Sequence, residues 1–169
     1  MAETVAETGA ETEHGVTLRL ATAEDADTVA ALTARLMEEL AGELEEAYRP
    51  GRLAPVARRL LAGDGFAALL AFDAAGEAVA LLTLSECAAV YAFGRFGEIA
   101  EFYVAPARRS SGLGARMVEA AAAQARARGW TRLEVGAPDL PRWQRTVDFY
   151  MRCGFAEVGP RLKLTWDGS

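Results

Sequence analysis

Between Glu98 and Met117 an alternating run, Glu-Ile-Ala-Glu-Phe-Tyr-Val, leads through a short turn into Arg109-Ser-Ser-Gly112-Leu-Gly114 and then an alanine-rich stretch. The run reads as a strand ending near Val104, and the glycines mark where the chain enters a helix. A strand feeding directly into a helix commits the chain to sheet-and-helix layering. Two glycines flanking Leu113 leave the opening backbone N–H groups accessible, with no Cβ in the way. Those amides, the positive end of the helix dipole and the forked cation of Arg109 make a phosphate site. The segment therefore points to a ligand bearing pyrophosphate.

Spacing rejects two common phosphate loops. A P-loop needs lysine directly after its second glycine, and the only lysine in the chain is Lys163. A dinucleotide turn needs a third glycine where Met117 stands. What remains is Arg-x-x-Gly-x-Gly after an apolar strand ending in valine. On its own this hexapeptide is also compatible with a glycine-rich turn that binds nothing.

The chain has 169 residues, enough for one domain with its own core. Residues 1–14 repeat Ala-Glu-Thr and lack the basic start and apolar run of a signal peptide. They read as a disordered acidic tail ahead of a single domain over residues 15–169. No apolar run is long enough for a membrane span, so the expected location is cytoplasmic, with no membrane partner. A net charge of −6 and scattered arginines count against nucleic acid as the main partner. Glu38, Glu39, Glu43, Glu45 and Glu46 cluster, either as a solvated helix face or as an acidic rim that attracts a cationic amine.

Cys87 and Cys153 stand far apart, and the single histidine, His14, lies in the tail. Zinc sites, disulfide frameworks and histidine-based triads are therefore not expected, and no metal is called for. Acid–base work falls to carboxylates, tyrosine or water.

The pattern along the chain alternates strands and helices. Val16, Leu18 and Leu20 form a first strand, and Thr22 with Asp25 a capping box before the helical face Val29, Leu32, Leu36 and Leu40. Pro50-Gly51 reads as a break, with a short second helix over Pro55–Leu61. Phe66–Phe72 and the run from Val79 flank an Asp73–Gly76 turn as a hairpin. Tyr91–Gly97 reads as an aromatic connection into the strand ending at Val104. The helix after Gly112 ends at Arg128-Gly129, followed by a strand at Leu133–Val135 and a helix through Trp143, Val147 and Met151. Two final strands are expected, near Phe155–Val158 and Arg161–Trp166.

This order, together with Phe149-Tyr150-Met-Arg-Cys-Gly154-Phe155 at the end of the last helix, resembles the GCN5-related N-acetyltransferases (GNAT) over roughly Val16–Trp166. The resemblance implies an α/β (α+β) fold: a mixed, mostly antiparallel sheet of about seven strands flanked by about four helices. It implies acetyl-CoA as co-substrate and transfer of its acetyl group directly to a primary amine. The coenzyme would be held by the strand end Phe102, Tyr103 and Val104 and by Arg109, Ser110, Ser111, Gly112, Leu113, Gly114 and Ala115. A backbone amide at Val104 or its neighbour would serve the thioester carbonyl, and Tyr150 the departing thiolate. Homodimers are common in that family, though no residue here demands one.

The attacking amine must lose a proton. Counting back from Val104, Glu98 shares a pleat face with Ala100, Phe102 and Val104, while Glu101 points the other way. Family members carry the base at the places of Glu98 and Ala100, so Glu98 is the first choice and Glu101 an amine-orienting anion. A β-bulge would reverse that parity and favour Glu101. The chain departs from the family where an asparagine and an alanine are usual, at Trp143 and Thr146, and Ser110-Ser111 replace a more basic pair.

Acidic and aromatic groups around Glu38–Tyr48 and Tyr91–Phe96 suit a small cationic amine. A protein N-terminus or lysine remains an alternative acceptor, and a catalytically silent acyl-CoA-binding module is the rival from another class.

Overall fold

The computed structural model describes residues 11–13, 15–136 and 140–159. Six strands form one sheet in chain order: β1 (Glu11–Glu13), β2 (Val16–Leu20), β3 (Phe66–Phe72), β4 (Ala78–Ala89), β5 (Gly94–Val104) and β6 (Leu133–Val135). All neighbours run antiparallel except β5 and β6, which are parallel. Four helices join them: α1 (Ala26–Ala41), α2 (Pro50–Leu61), α3 (Leu113–Ala127) and α4 (Gln144–Arg152). The fold is thus the expected sheet-and-helix mixture, with six strands among the described residues.

Alternation along the strands sorts the core into two layers. On one face Leu82, Leu84 and Ile99 pack with Leu113, Met117, Val118 and Ala121 of α3. On the other, Leu70, Leu81 and Tyr103 pack with Val29 and Leu32 of α1 and Ala57 of α2. Local chemistry sets the boundaries. The Thr22 amide donates to Asp25 at 2.8 Å, completing the box at the start of the α1 region. Arg19 grips the same carboxylate with both guanidinium nitrogens, which holds Asp25 down at about 2. Asp73 Oδ1 accepts the amides of Ala75 and Glu77 and closes the β3–β4 turn at Gly76, φ +80°. Gly129, φ +70°, follows α3 as expected.

Four expectations need correction. Helix α2 begins at Pro50, not Pro55, because proline is at home in the first helical turn, where its missing N–H has no intrahelical partner. Strand β5 starts at Gly94, taking in residues read as connection. Glu11–Glu13 pairs with β2, so backbone structure starts inside the segment read as a disordered tail. Phe155–Val158, expected as a strand, joins no ladder with another described strand. The strand expected at 161–166 lies outside the described residues. No described helix is long and apolar enough to cross a membrane.

Candidate active site

The site grows out of the last half of β5. Pairing with β6 runs only from Gly97 to Ile99. Beyond it no described strand lies on that side of β5, and Ala100–Val104 continues alone along an opening in the sheet. On its other side β5 stays paired with β4, where Ala80 faces Val104 and Leu82 faces Phe102. The Ala105 N–H donates to Val79 O at 2.8 Å, bracketing the Ala80–Val104 pair as one of the non-hydrogen-bonded kind. The N–H and C=O of Val104 therefore point away from β4 and into the opening, as do those of Phe102 two residues back. Tyr103 faces β4 instead, so its backbone is not presented to a ligand there.

A register shift between Leu82 and Leu84 changes which side chains reach each face. Leu82 pairs with Phe102 and Leu84 with Ile99, so Thr83 alone opposes two residues, Ala100 and Glu101. This is a β-bulge. Thr83 is buried, and its hydroxyl accepts the Glu101 N–H at 2.9 Å and donates to the Glu101 carboxylate. The uninterrupted pleat that set Glu98 and Glu101 on opposite faces is thereby corrected. Glu98 pairs across from Ser85, Glu101 bonds Thr83, and Tyr103 sits opposite Leu81, all on the α1–α2 face. Phe102 and Val104 pack on the α3 face.

The carboxylate face holds more than was expected. Glu134 of β6 is the cross-strand partner of Glu98, and Arg132 pairs with it at 2.8 Å. Cys87 Sγ lies 3.8 Å from Glu98 Oε2. Arg132 also stacks over Phe96 and Tyr91, at 5.4 and 4.9 Å from their ring centres.

On the other face, the turn into α3 is built by backbone conformation. Ser110 and Gly112 both have positive φ, +61° and +86°, and Gly112 is the N-cap. Arg116 N–H reaches back to Gly112 O at 3.2 Å, so the amides of Leu113, Gly114 and Ala115 precede the first intrahelical bond. The two glycines serve different ends. A Cβ at Gly112 would meet nothing within 4 Å, and the residue is needed for its left-handed φ. A Cβ on Gly114 would lie 3.2 Å from the Phe149 ring and 3.8 Å from Phe102, so this glycine lets α3 approach the aromatic cluster.

Arg109 is not aimed into the turn. Its Nε donates to Val104 O at 2.8 Å, and its terminal nitrogens grip Glu39 of α1 at 2.9 and 2.6 Å. That pairing raises the guanidinium pKa further. Arg109 thus ties the end of β5 to α1, and the member of the acidic cluster that matters here is Glu39. Ser111 Oγ donates to Arg108 O at 2.7 Å, closing the loop on itself, and Ser110 is exposed.

Tyr150 of α4 sits against Phe102, Phe149 and Phe155, with ring centres 6.4, 5.4 and 5.6 Å away. Burial pushes its phenol up to about 12, with a smaller contribution from Cys153. It therefore stays protonated throughout the neutral range, a standing O–H donor. Trp143 caps α4 half-buried, with Arg142 stacked on it at 5.0 Å. Among the described residues no cluster of acidic, cysteine or histidine side chains could hold a metal ion.

Thr83 and Glu134 were not singled out from sequence, and Glu39 entered only as one of the acidic cluster. Thr83 had a signal, one hydroxyl in the apolar run Val79–Leu84. Glu134 had one too, alternation between Leu133 and Val135. The partner of Glu39 is Arg109, 70 positions away.

The sheet opens beside its parallel pair, with the glycine turn into α3 and Tyr150 of α4 next to the opened strand. Residues 33–155 match the model of the acetyltransferase (GNAT) family. The chain belongs to that family of acetyltransferases, which uses acetyl-CoA as co-substrate. An aminoglycoside acetyltransferase from an uncultured soil metagenomic sample superposes with a TM-score of 0.77 at 23% identity, covering 90% of this chain and 99% of its own. A second such enzyme, in complex with sisomicin, gives 0.72 at 15% identity, with 90% and 97% covered. A ribosomal-protein-alanine N-acetyltransferase from Brucella melitensis biovar Abortus 2308 gives 0.66 at 21% identity, with 89% and 99% covered. No curated protein matches the sequence.

Proposed function

We propose that the protein transfers the acetyl group of acetyl-CoA directly to the primary amine of a small cationic molecule. The observation that carries this reading is the bulge in β5, which puts Glu98 and Glu101 on one face beside the opening into which the Val104 amide points. The pyrophosphate is held by the opening amides of α3 and the helix dipole, with the pantetheine arm along the backbone of Phe102 and Val104. Arg109 acts by fixing the strand end and α1, more than by touching phosphate. The amine enters from the α1–α2 face, where Glu98, Glu101 and Glu134 make a cation favourable.

Glu101 takes the ammonium proton, Glu98 orients the amine, and the freed nitrogen attacks the thioester carbonyl. The Val104 N–H bonds the oxyanion that forms. As the carbon–sulfur bond breaks, coenzyme A leaves as thiolate, the nitrogen gives its second proton to solvent, and the neutral amide remains. An alkyl thiol titrates near ~8.5, far below the phenol of Tyr150, so Tyr150 stabilises the thiolate by a hydrogen bond without surrendering its proton. Solvent then protonates the thiolate.

The test is thiol release from acetyl-CoA with a panel holding spermidine, sisomicin, free amino acids and an alanine-initiated peptide. Release with a polycationic small amine is expected. Release with the peptide alone would move the acceptor to protein. Calorimetric binding of acetyl-CoA with no release on any member would make the chain a silent binding module.

A further inference from the structure

We infer that Thr83 is a positioning residue, whose hydroxyl fixes both the extra residue in β5 and the direction of the Glu101 carboxylate; the inference rests on the acetyl-transfer reading above. Among the described residues Thr83 is the one buried side chain, apart from two tyrosines and Trp130, that carries a polar group, and it is flanked on β4 by Leu81, Leu82 and Leu84, all fully buried. Valine would fill the same space without a hydroxyl to satisfy, so a threonine here needs a reason. The reason is visible in its partners, which are two atoms of one residue. The hydroxyl accepts the Glu101 N–H, an amide that the bulge removes from regular cross-strand pairing, and donates to the Glu101 carboxylate. Without it the amide and the carboxylate both lose the partner they share. Were β5 to relax to regular pairing, parity would turn Glu101 to the α3 face, away from Glu98.

The experiment compares Thr83→Val, Thr83→Ser, Glu101→Gln and the Thr83→Val/Glu101→Gln double variant, with acetyl-CoA and spermidine or sisomicin. Thr83→Val is expected to lower kcat by about 10-fold or more while KM for acetyl-CoA stays within about 3-fold. Thr83→Ser, which keeps the hydroxyl, restores kcat. In the Glu101→Gln background, Thr83→Val costs nothing more, because the two act as one unit. Unchanged kcat in Thr83→Val, or full additivity in the double variant, overturns the inference. If Thr83→Val does not fold, Thr83→Cys takes its place, with a partial loss expected from its weaker donor. A crystal structure of the valine variant judges the positioning apart from turnover. A displaced Glu101 carboxylate or a closed bulge supports it, and an unchanged one overturns it. Absence of turnover by the unmodified protein on every amine would instead fall on the proposed function, leaving that crystal structure to decide on Thr83.

Discussion

The two faces of β5 are built on opposite principles. Towards α3 and α4 it presents Phe102 and Val104 to a glycine turn and an aromatic cluster, where shape and backbone direction do the work. Towards α1 and α2 it presents Glu98 and Glu101, where one buried hydroxyl and a register shift do it. The first face joins a local glycine turn to aromatic rings brought in from α4. The second depends on how two strands slide past each other. Donor binding and acceptor chemistry are therefore expected to fail separately.

The sharpest break between the faces is at the carboxylates. Glu101→Gln is expected to lower kcat by roughly 100-fold or more, with acetyl-CoA affinity intact. Glu98→Gln should chiefly raise KM for the amine. Steady-state kinetics check both, and a larger kcat loss from Glu98→Gln would restore the simple pleat reading. On the other face, Gly112→Asp forces a side chain into φ +86° and sets a carboxylate at the helix start. Acetyl-CoA affinity measured by calorimetry should fall by about 100-fold, from backbone strain and repulsion together.

Tyr150→Phe should cost about 10-fold in kcat, with donor affinity unchanged. The phenol titrates near 10 in the unfolded chain and at about 12 in the folded one, so its neutral form stabilises the fold fully below pH 10. That stability is lost as pH climbs through 12. Alkaline unfolding followed by circular dichroism should accordingly be less steep in the phenylalanine variant over that window.

The smallest effect is the most discriminating. Arg109→Ala and Glu39→Gln should each weaken acetyl-CoA by a similar factor, about 3- to 10-fold, since the pair acts as a brace. A direct phosphate contact would instead leave Glu39→Gln neutral or improved.

Much of this was legible beforehand, for reasons visible in particular residues. Gly112 needs a left-handed φ that few residues tolerate, and Asp73 needs its own turn amides, so both announce themselves locally. Tyr150 was singled out through its Phe149 and Gly154-Phe155 surroundings. The bulge was foreseen only as an alternative, because an inserted residue leaves residue types unchanged and shifts only their parity. Its pin, Thr83, is 18 positions upstream of Glu101. Gly114 was read as leaving backbone N–H groups open to a ligand, while the ring a Cβ there would meet belongs to Phe149, on a different helix. Arg109 was likewise read from its own loop, while its partner sits 70 positions away.

Arg108, next to that brace, donates to Asp73 Oδ2 at 2.9 Å, the same carboxylate whose other oxygen closes the β3–β4 turn. One aspartate thus moors the loop leading into α3 to a hairpin 35 residues earlier. A loop moored before its ligand arrives has little freedom left to surrender on capture. Cutting the mooring with Asp73→Asn would then be felt as a heavier entropic toll in calorimetry and as a faster departure of spent coenzyme.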